Sequence, residues 1–265
     1  MLASIHILTA SRLQDYVTLI WEVKGGVDGS ETILPEGIVE IIFNFADAAC
    51  GVLPQRQTSL KAPRCFIQGL FTQTLEVQYT GRHHLLGIRL HPHRVRDLLH
   101  LLPSELNNTT VDLTLIQPAF DSLWHQLQEL NTFAEKVALL ETSLPILAGN
   151  CCERSGALSN LFLTGGAAAF QSVDELARQV CYSPRQLNRV VQDLYGISAE
   201  ELTTYKKFVQ SVRLIHQEDQ SLTQVAYDAG FYDQAHFCRV FKSFTAMTPN
   251  QYRKRKGPQP FHLLS

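Results

Sequence analysis

No run of apolar residues in this chain of 265 approaches the length of a membrane span. Met1 to Ala10 also lacks the basic start and long apolar core of an export signal. These two absences lead us to expect a cytoplasmic protein with no membrane partner. The six cysteines include no CxxC; Cys151-Cys152 is a vicinal pair, and neither Cys50 nor Cys65 has the context of a nucleophile or a metal ligand. Reduced, mostly buried thiols are the expectation. Walker, GxSxG, HExxH and GxGxxG patterns are all missing, so we expect no enzyme and no cofactor. His83-His84 and His91-Pro92-His93 are short of a metal set, because Pro92 interrupts the strand and no carboxylate completes the group. They read as ordinary hydrogen-bonding histidines, and no metal is expected.

Charged residues make up 18% of the chain and apolar ones 45%, which suits a globular protein of one large or two ordinary domains. The net charge of -2 hides a division. Residues 1–156 hold 11 Lys and Arg against 16 Asp and Glu, whereas 157–265 hold 12 against 9. A basic half joined to an acidic one outlines a nucleic-acid-binding domain that carries a different domain.

The basic half repeats itself. Ser183-Pro184-Arg185-Gln186-Leu187-Asn188-Arg189-Val190-Val191 is followed fifty positions later by Asp233-Gln234-Ala235-His236-Phe237-Cys238-Arg239-Val240-Phe241. A helix start, an apolar stripe and an arginine hold one register across the two. Each repeat has an earlier helix in front of it, opened by Ser172 to Glu175 and by Ser221 to Gln224, sequences that read as capping boxes. Ser198 to Glu201 opens a helix running to about Gln217, whose Leu202, Tyr205, Phe208, Val209, Val212 and Ile215 form a broad apolar face. Thr248-Pro249-Asn250-Gln251 opens a last short one.

This spacing is that of two helix-turn-helix units, 172–196 and 221–246, fixed by a central helix. Arg185, Gln186, Asn188, Arg189 and Gln192 form the polar side of the first reading helix. Gln234, Ala235, His236, Arg239 and Lys242 are the corresponding set on the second, beside Cys238. Arg can bond both acceptors of guanine, and Asn or Gln both groups that adenine shows in the major groove. Ala235 and Cys238 are small, so the second helix is expected to read fewer bases. The bland alternative, polar side chains that only solvate a helix, does not account for the repeat.

Residues from about 170 to 256 resemble the AraC/XylS type of bacterial transcriptional regulator. The resemblance rests on Asp174-Glu175-Leu176-Ala177, Ser183 to Arg189, Val225-Ala226-Tyr227-Asp228-Ala229-Gly230-Phe231, Asp233 to Lys242 and Thr248 to Arg253. It implies two recognition helices in adjacent major grooves, with Arg185, Asn188, Arg189, Gln234, Ala235 and Arg239 meeting bases. It further implies double-stranded DNA and RNA polymerase as partners and activation rather than repression. Ala246 departs from the pattern, which usually has Gly at that helix end.

The front half reads as mostly strand to about residue 95. The signals are Ile38 to Phe45 after the Pro35-Glu36-Gly37 turn, Leu75 to Thr80, and Leu85 to Leu90. One face of the first is wholly apolar, and the other mixes Ile38, Glu40, Ile42 and Asn44. Helices follow at Val95 to Leu102, Pro118 to Leu130, Phe133 to Leu144 and around Leu158 to Leu163, with Gly165-Gly166 as a joint. The run from Pro35 to Leu102 also resembles the N-terminal domain of one subset of the same regulators, implying a small sensing or dimerising module. Glu40, Asn44 and Arg89 are candidates to line a pocket for a small-molecule effector, the alternative being a structural Glu40–Arg89 pair. Phe133, Val137, Leu140 and Leu144 share a helix face that suits either core or a homodimer seam.

The expected fold is therefore α+β. A β-rich, barrel-like sensing domain with helices (1–150) leads through a connecting segment (151–170) to an all-α DNA-binding domain (171–265). The expected function is a sequence-specific, DNA-binding transcriptional regulator. Its rivals are a regulator that needs no ligand, and an enzyme or DNA-repair protein that borrows the DNA-binding module.

Overall fold

The computed structural model describes residues 2–7, 12–26, 28–46, 51–53, 60–147, 172–217 and 220–264, with Leu158 and Leu161. The expected joint at Gly165-Gly166, most of the helix around Leu158 to Leu163, and Cys50, Cys151 and Cys152 lie outside the described residues. The chain divides into two compact units, one of residues 1–30, 38–70 and 76–152, the other of 31–37, 71–75 and 153–265. The fold is α+β, with an antiparallel sheet in the first unit and helices dominating the second.

In the first unit six strands lie in the order Leu2–Ile7, Val17–Gly25, His83–Leu90, Val39–Asn44, Cys65–Gln68 and Thr110–Asp112. Neighbours pair antiparallel, with Glu40 opposite Arg89 and Trp21 opposite Gly87. Ile20, Ile41, Phe43, Ile67, Leu86 and Ile88 form a core with Phe120, Leu123 and Leu127 of the Ala119–Glu129 helix. Val137, Leu140 and Leu144 of the Phe133–Leu147 helix join it, and Phe133 packs against it. That stripe is thus spent on intramolecular core. Every residue of Val39–Asn44 is buried, so the mixed face expected from the sequence is covered too.

The second unit is a set of capped helices. Ser172 caps Val173–Gln179, Ser183 caps Pro184–Tyr195, Ser221 caps Leu222–Asp228, Asp233 caps Gln234–Thr245 and Thr248 caps Pro249–Arg255. Full capping boxes close at Ser183, Ser198 and Thr248. At Ser172 and Ser221 only the serine half forms, because Glu175 turns to Arg178 and Gln179, and Gln224 to Asp228. Side-chain pairs along the helix outcompete the backward reach there.

The Ala199–Gln217 helix packs against both helices of each helix-turn-helix. Its predicted apolar face is buried throughout, with Phe208 stacked on Phe244 at 4.6 Å and edge-on to Phe241 at 5.3 Å. The second unit is not all-α. His262–Leu264 pairs antiparallel with Glu31–Ile33, and His262 Nδ1 lies 2.7 Å from Glu31 Oε1. Tyr205 Oη donates to the Phe71 carbonyl at 2.7 Å. Segments far back in the sequence thus complete the helical unit.

Candidate nucleic-acid interface

The two reading helices are Pro184–Tyr195 and Gln234–Thr245, each twelve residues long. Leu187, Val191 and Tyr195 anchor the first; Phe237, Phe241 and Thr245 anchor the second. Those positions recur every fourth residue, with Val190, Leu194, Val240 and Phe244 half-buried beside them, so the polar side chains of the opposite face point outward. Both helices end left-handed, at Gly196 (φ 67°) and Ala246 (φ 59°).

The repeat carries a shift that the fifty-residue register hides. The supporting helices are related by 49 positions, Ser172 to Ser221, and the reading helices by 50, Ser183 to Asp233. The second turn is therefore one residue longer. Tyr182 and Phe231 occupy matching places, each N–H donating at 2.9 Å to the carbonyl of Ala177 or Ala226. Tyr232 is the added residue, 88% exposed, directly before the Asp233 cap.

On the first reading helix Arg185, Gln186, Asn188, Arg189 and Gln192 are all exposed, and the structure brings them onto one element. On the second, Gln234, Ala235, Arg239 and Lys242 are exposed, while His236 and Cys238 are half-buried. Among the described residues the side chains of Arg185, Arg189, Gln192, Arg239 and Lys242 enter no hydrogen bond or ion pair. Three others are already engaged. Gln186 Oε1 accepts from Ser183 in the capping box, Gln234 Oε1 accepts from Thr223 Oγ1 at 2.9 Å, and Asn188 Oδ1 accepts the Ala199 N–H at 3.0 Å. The His236 ring sits edge-on against Phe231 at 5.5 Å. Cysteine exposure differs from expectation: of the described three, Cys65 is buried, Cys238 half-buried and Cys181 exposed, the last because it holds the inter-helix turn at φ 56°.

The candidate effector residues also come together, on the sheet of the first unit. Glu40 Oε1 accepts from Arg89 Nε at 3.0 Å and from Trp21 Nε1 at 3.1 Å, and Glu40 is 8% exposed. Asn44 lies four residues along the strand and turns its Oδ1 back to the Ala46 N–H at 3.1 Å. All three have structural partners of their own. A second polar group was not visible in the sequence. Lys136, 1% exposed, donates to Glu22 at 2.6 Å and lies 3.2 Å from His84 Nε2, with its ammonium 5.0 Å over the Phe45 ring. Burial pushes the Glu22 carboxyl up, but hydrogen bonds from Lys136 and His84 outweigh it and hold the group below its ordinary value. Burial, opposed by Glu22, holds the His84 ring below its ordinary value. Among the described residues no three His, Cys, Asp or Glu side chains are grouped to hold a metal ion, and no helix is long and apolar enough to cross a membrane.

Two capped helix pairs on one buried central helix, each with an outward basic row, define a double helix-turn-helix DNA-binding domain. Residues 176–255 match the family described as "Helix-turn-helix domain", and residues 5–112 match "Domain of unknown function (DUF6597)". The C-terminal domain is a helix-turn-helix domain similar to that of DNA-binding transcriptional regulators of the AraC/XylS type. An HTH-type transcriptional regulator of Haemophilus influenzae is 32% identical over 82 residues, 31% of this chain and 28% of that protein. The arabinose operon regulatory protein of Escherichia coli is 30% identical over 81 residues, again 31% of this chain and 28% of its own length. The chain therefore matches less than a third of these relatives. ToxT from Vibrio cholerae O395 superposes with a TM-score of 0.47 and 12% identity, covering 88% of this chain and 95% of that one.

Proposed function

We propose that this protein is a sequence-specific transcriptional regulator that inserts its two reading helices into adjacent major grooves of one duplex. Arg185, Arg189 and Gln192 contact DNA from the first helix; Arg239 and Lys242, with Ala235, do so from the second. The carrying observation is that these side chains are exposed and uncommitted on helices whose other faces are locked to a shared central helix. A rigid pair pre-sets the spacing of two contacts, so one chain reads what otherwise takes a dimer. The engaged Gln186 and Gln234 shape the helix starts and reach bases only by giving up those bonds. His236 flanks the second reader.

The N-terminal unit governs that binding through a small polar effector or through homodimerisation, and the resemblance favours activation by contact with RNA polymerase. An effector acts only if it binds one arrangement more tightly than another. The committed pairs of Glu40, Arg89 and Asn44 favour a scaffold role for these three, so a ligand at them has to displace Trp21 or break the Glu40–Arg89 pair.

Arg189→Ala tests the assignment. It should cost about 1–3 kcal/mol on the preferred duplex and relax preference at one base pair. Equal weakening on specific and unrelated DNA would make Arg189 a phosphate contact instead.

A further inference from the structure

We infer that Asn188 is a positioning residue, whose side-chain oxygen seats the first turn of the central helix and so sets the angle of the first reading helix. The inference rests on the DNA-reading proposal for its consequence, but not for its geometry. The first N–H groups of any helix have no partner within it. At the central helix the N–H of Ser198 goes to Glu201 Oε2 at 2.7 Å, and that of Glu201 to Ser198 Oγ at 3.2 Å. Between them Ala199, 1% exposed, has an N–H that neither capping group serves. Asn188 Oδ1 takes it, at 3.0 Å, from the reading helix eleven residues earlier.

The second helix-turn-helix provides the control. Fifty positions on, Asn188 becomes Cys238 and Ala199 becomes Pro249. Thr248 and Gln251 close the same capping box, but Pro249 at the first helical position has no N–H to satisfy. The donor and its acceptor are absent together. If position 188 served chiefly to read adenine, nothing would link its identity to position 199. If it serves the backbone, the two must change as a pair, and they do. Bidentate recognition of adenine also needs the amide oxygen that the Ala199 N–H already holds.

The test uses the full chain and a duplex selected by the wild-type protein from a random library. Asn188→Ala strands a buried N–H, so affinity for the two-motif duplex should fall about tenfold. Preference at every base pair should remain, and a duplex bearing only the second motif should bind as before. Asn188→Cys with Ala199→Pro transplants the pair from the second unit, and affinity should return to within about threefold of wild type. Flattened preference at one base pair, with no rescue by the double variant, would overturn the inference and make Asn188 a base reader. Should the wild-type protein select no motif, the DNA-reading proposal fails, and thermal melting decides this one. Asn188→Ala must then lower Tm and the double variant restore it; an unchanged Tm in the single variant rejects the inference.

Discussion

Ala246 holds the left-handed conformation, φ 59°, that Gly196 holds at φ 67° fifty positions earlier, and their N–H groups donate to the carbonyls of Lys242 and Gln192 at 2.8 and 2.9 Å. The same stop thus ends both reading helices, once with the residue suited to it and once without. A side chain strains this backbone region. Ala246→Gly should raise stability by about 1 kcal/mol, and Gly196→Ala should lower it similarly. Urea denaturation of the two variants checks the signs; a destabilised Ala246→Gly would mean that the methyl group contributes packing that outweighs the strain.

Gly87 lies opposite Trp21 across two strands, and a Cβ there would come within 2.0 Å of the indole. The ring covers the bare backbone and from that position donates to Glu40. Gly87→Ala should displace the indole and destabilise the protein by about 2 kcal/mol. Near-UV circular dichroism should lose part of its tryptophan signal. An unchanged spectrum and stability would refute this packing.

The Lys136–Glu22 pair has a pH signature. The Glu22 and His84 pKa values are both depressed, so the stability they supply is complete above their unfolded values, about 4.3 and 6.5. It is lost as pH falls through the folded ones, so stability should decline on acidification from about pH 6.5. Lys136→Met removes the buried cation from Glu22 and leaves it only His84 and the more exposed Lys24, at a cost of about 3 kcal/mol at neutral pH. That deficit should shrink towards pH 4.5, where Glu22 can take up a proton. Glu22→Gln added to Lys136→Met should recover much of the loss. Strictly additive effects in urea titrations would deny the coupling.

Tyr205 ties the central helix to the Phe71 carbonyl from a position buried among aromatic rings. Tyr205→Phe keeps the ring and leaves that carbonyl short of a partner, for a loss of about 1 kcal/mol. Amide hydrogen exchange should quicken in residues 71–75. Unchanged exchange there would show that the segment is held by other contacts.

Local chemistry was legible in advance, and distant pairing was not. Ser183, Ser198 and Thr248 announce helix starts because cap and partner lie three residues apart, and the stripe from Leu202 to Ile215 announces burial by its period. The boxes at Ser172 and Ser221 stay half-formed because Arg178 and Asp228 compete for the same side chains, which the cap spacing alone does not show. Lys136 and Glu22 are 114 residues apart, and no short-range pattern marks a lysine for burial. The strand at His262–Leu264 has only three residues and takes its form from Glu31–Ile33, 231 positions away. The residue type of Asn188 suits adenine, whereas its bond to Ala199 depends on how two helices meet, which no local pattern shows.

The most direct test of the account is selection of duplex DNA from a random library by the full chain at fixed salt, since phosphate contacts make affinity depend on salt. Two short motifs about one helical turn apart should be enriched, with preference relaxed at one base pair of each in the Arg189→Ala, Arg239→Ala double variant. Enrichment of a single motif, or of none, would contradict the double reader.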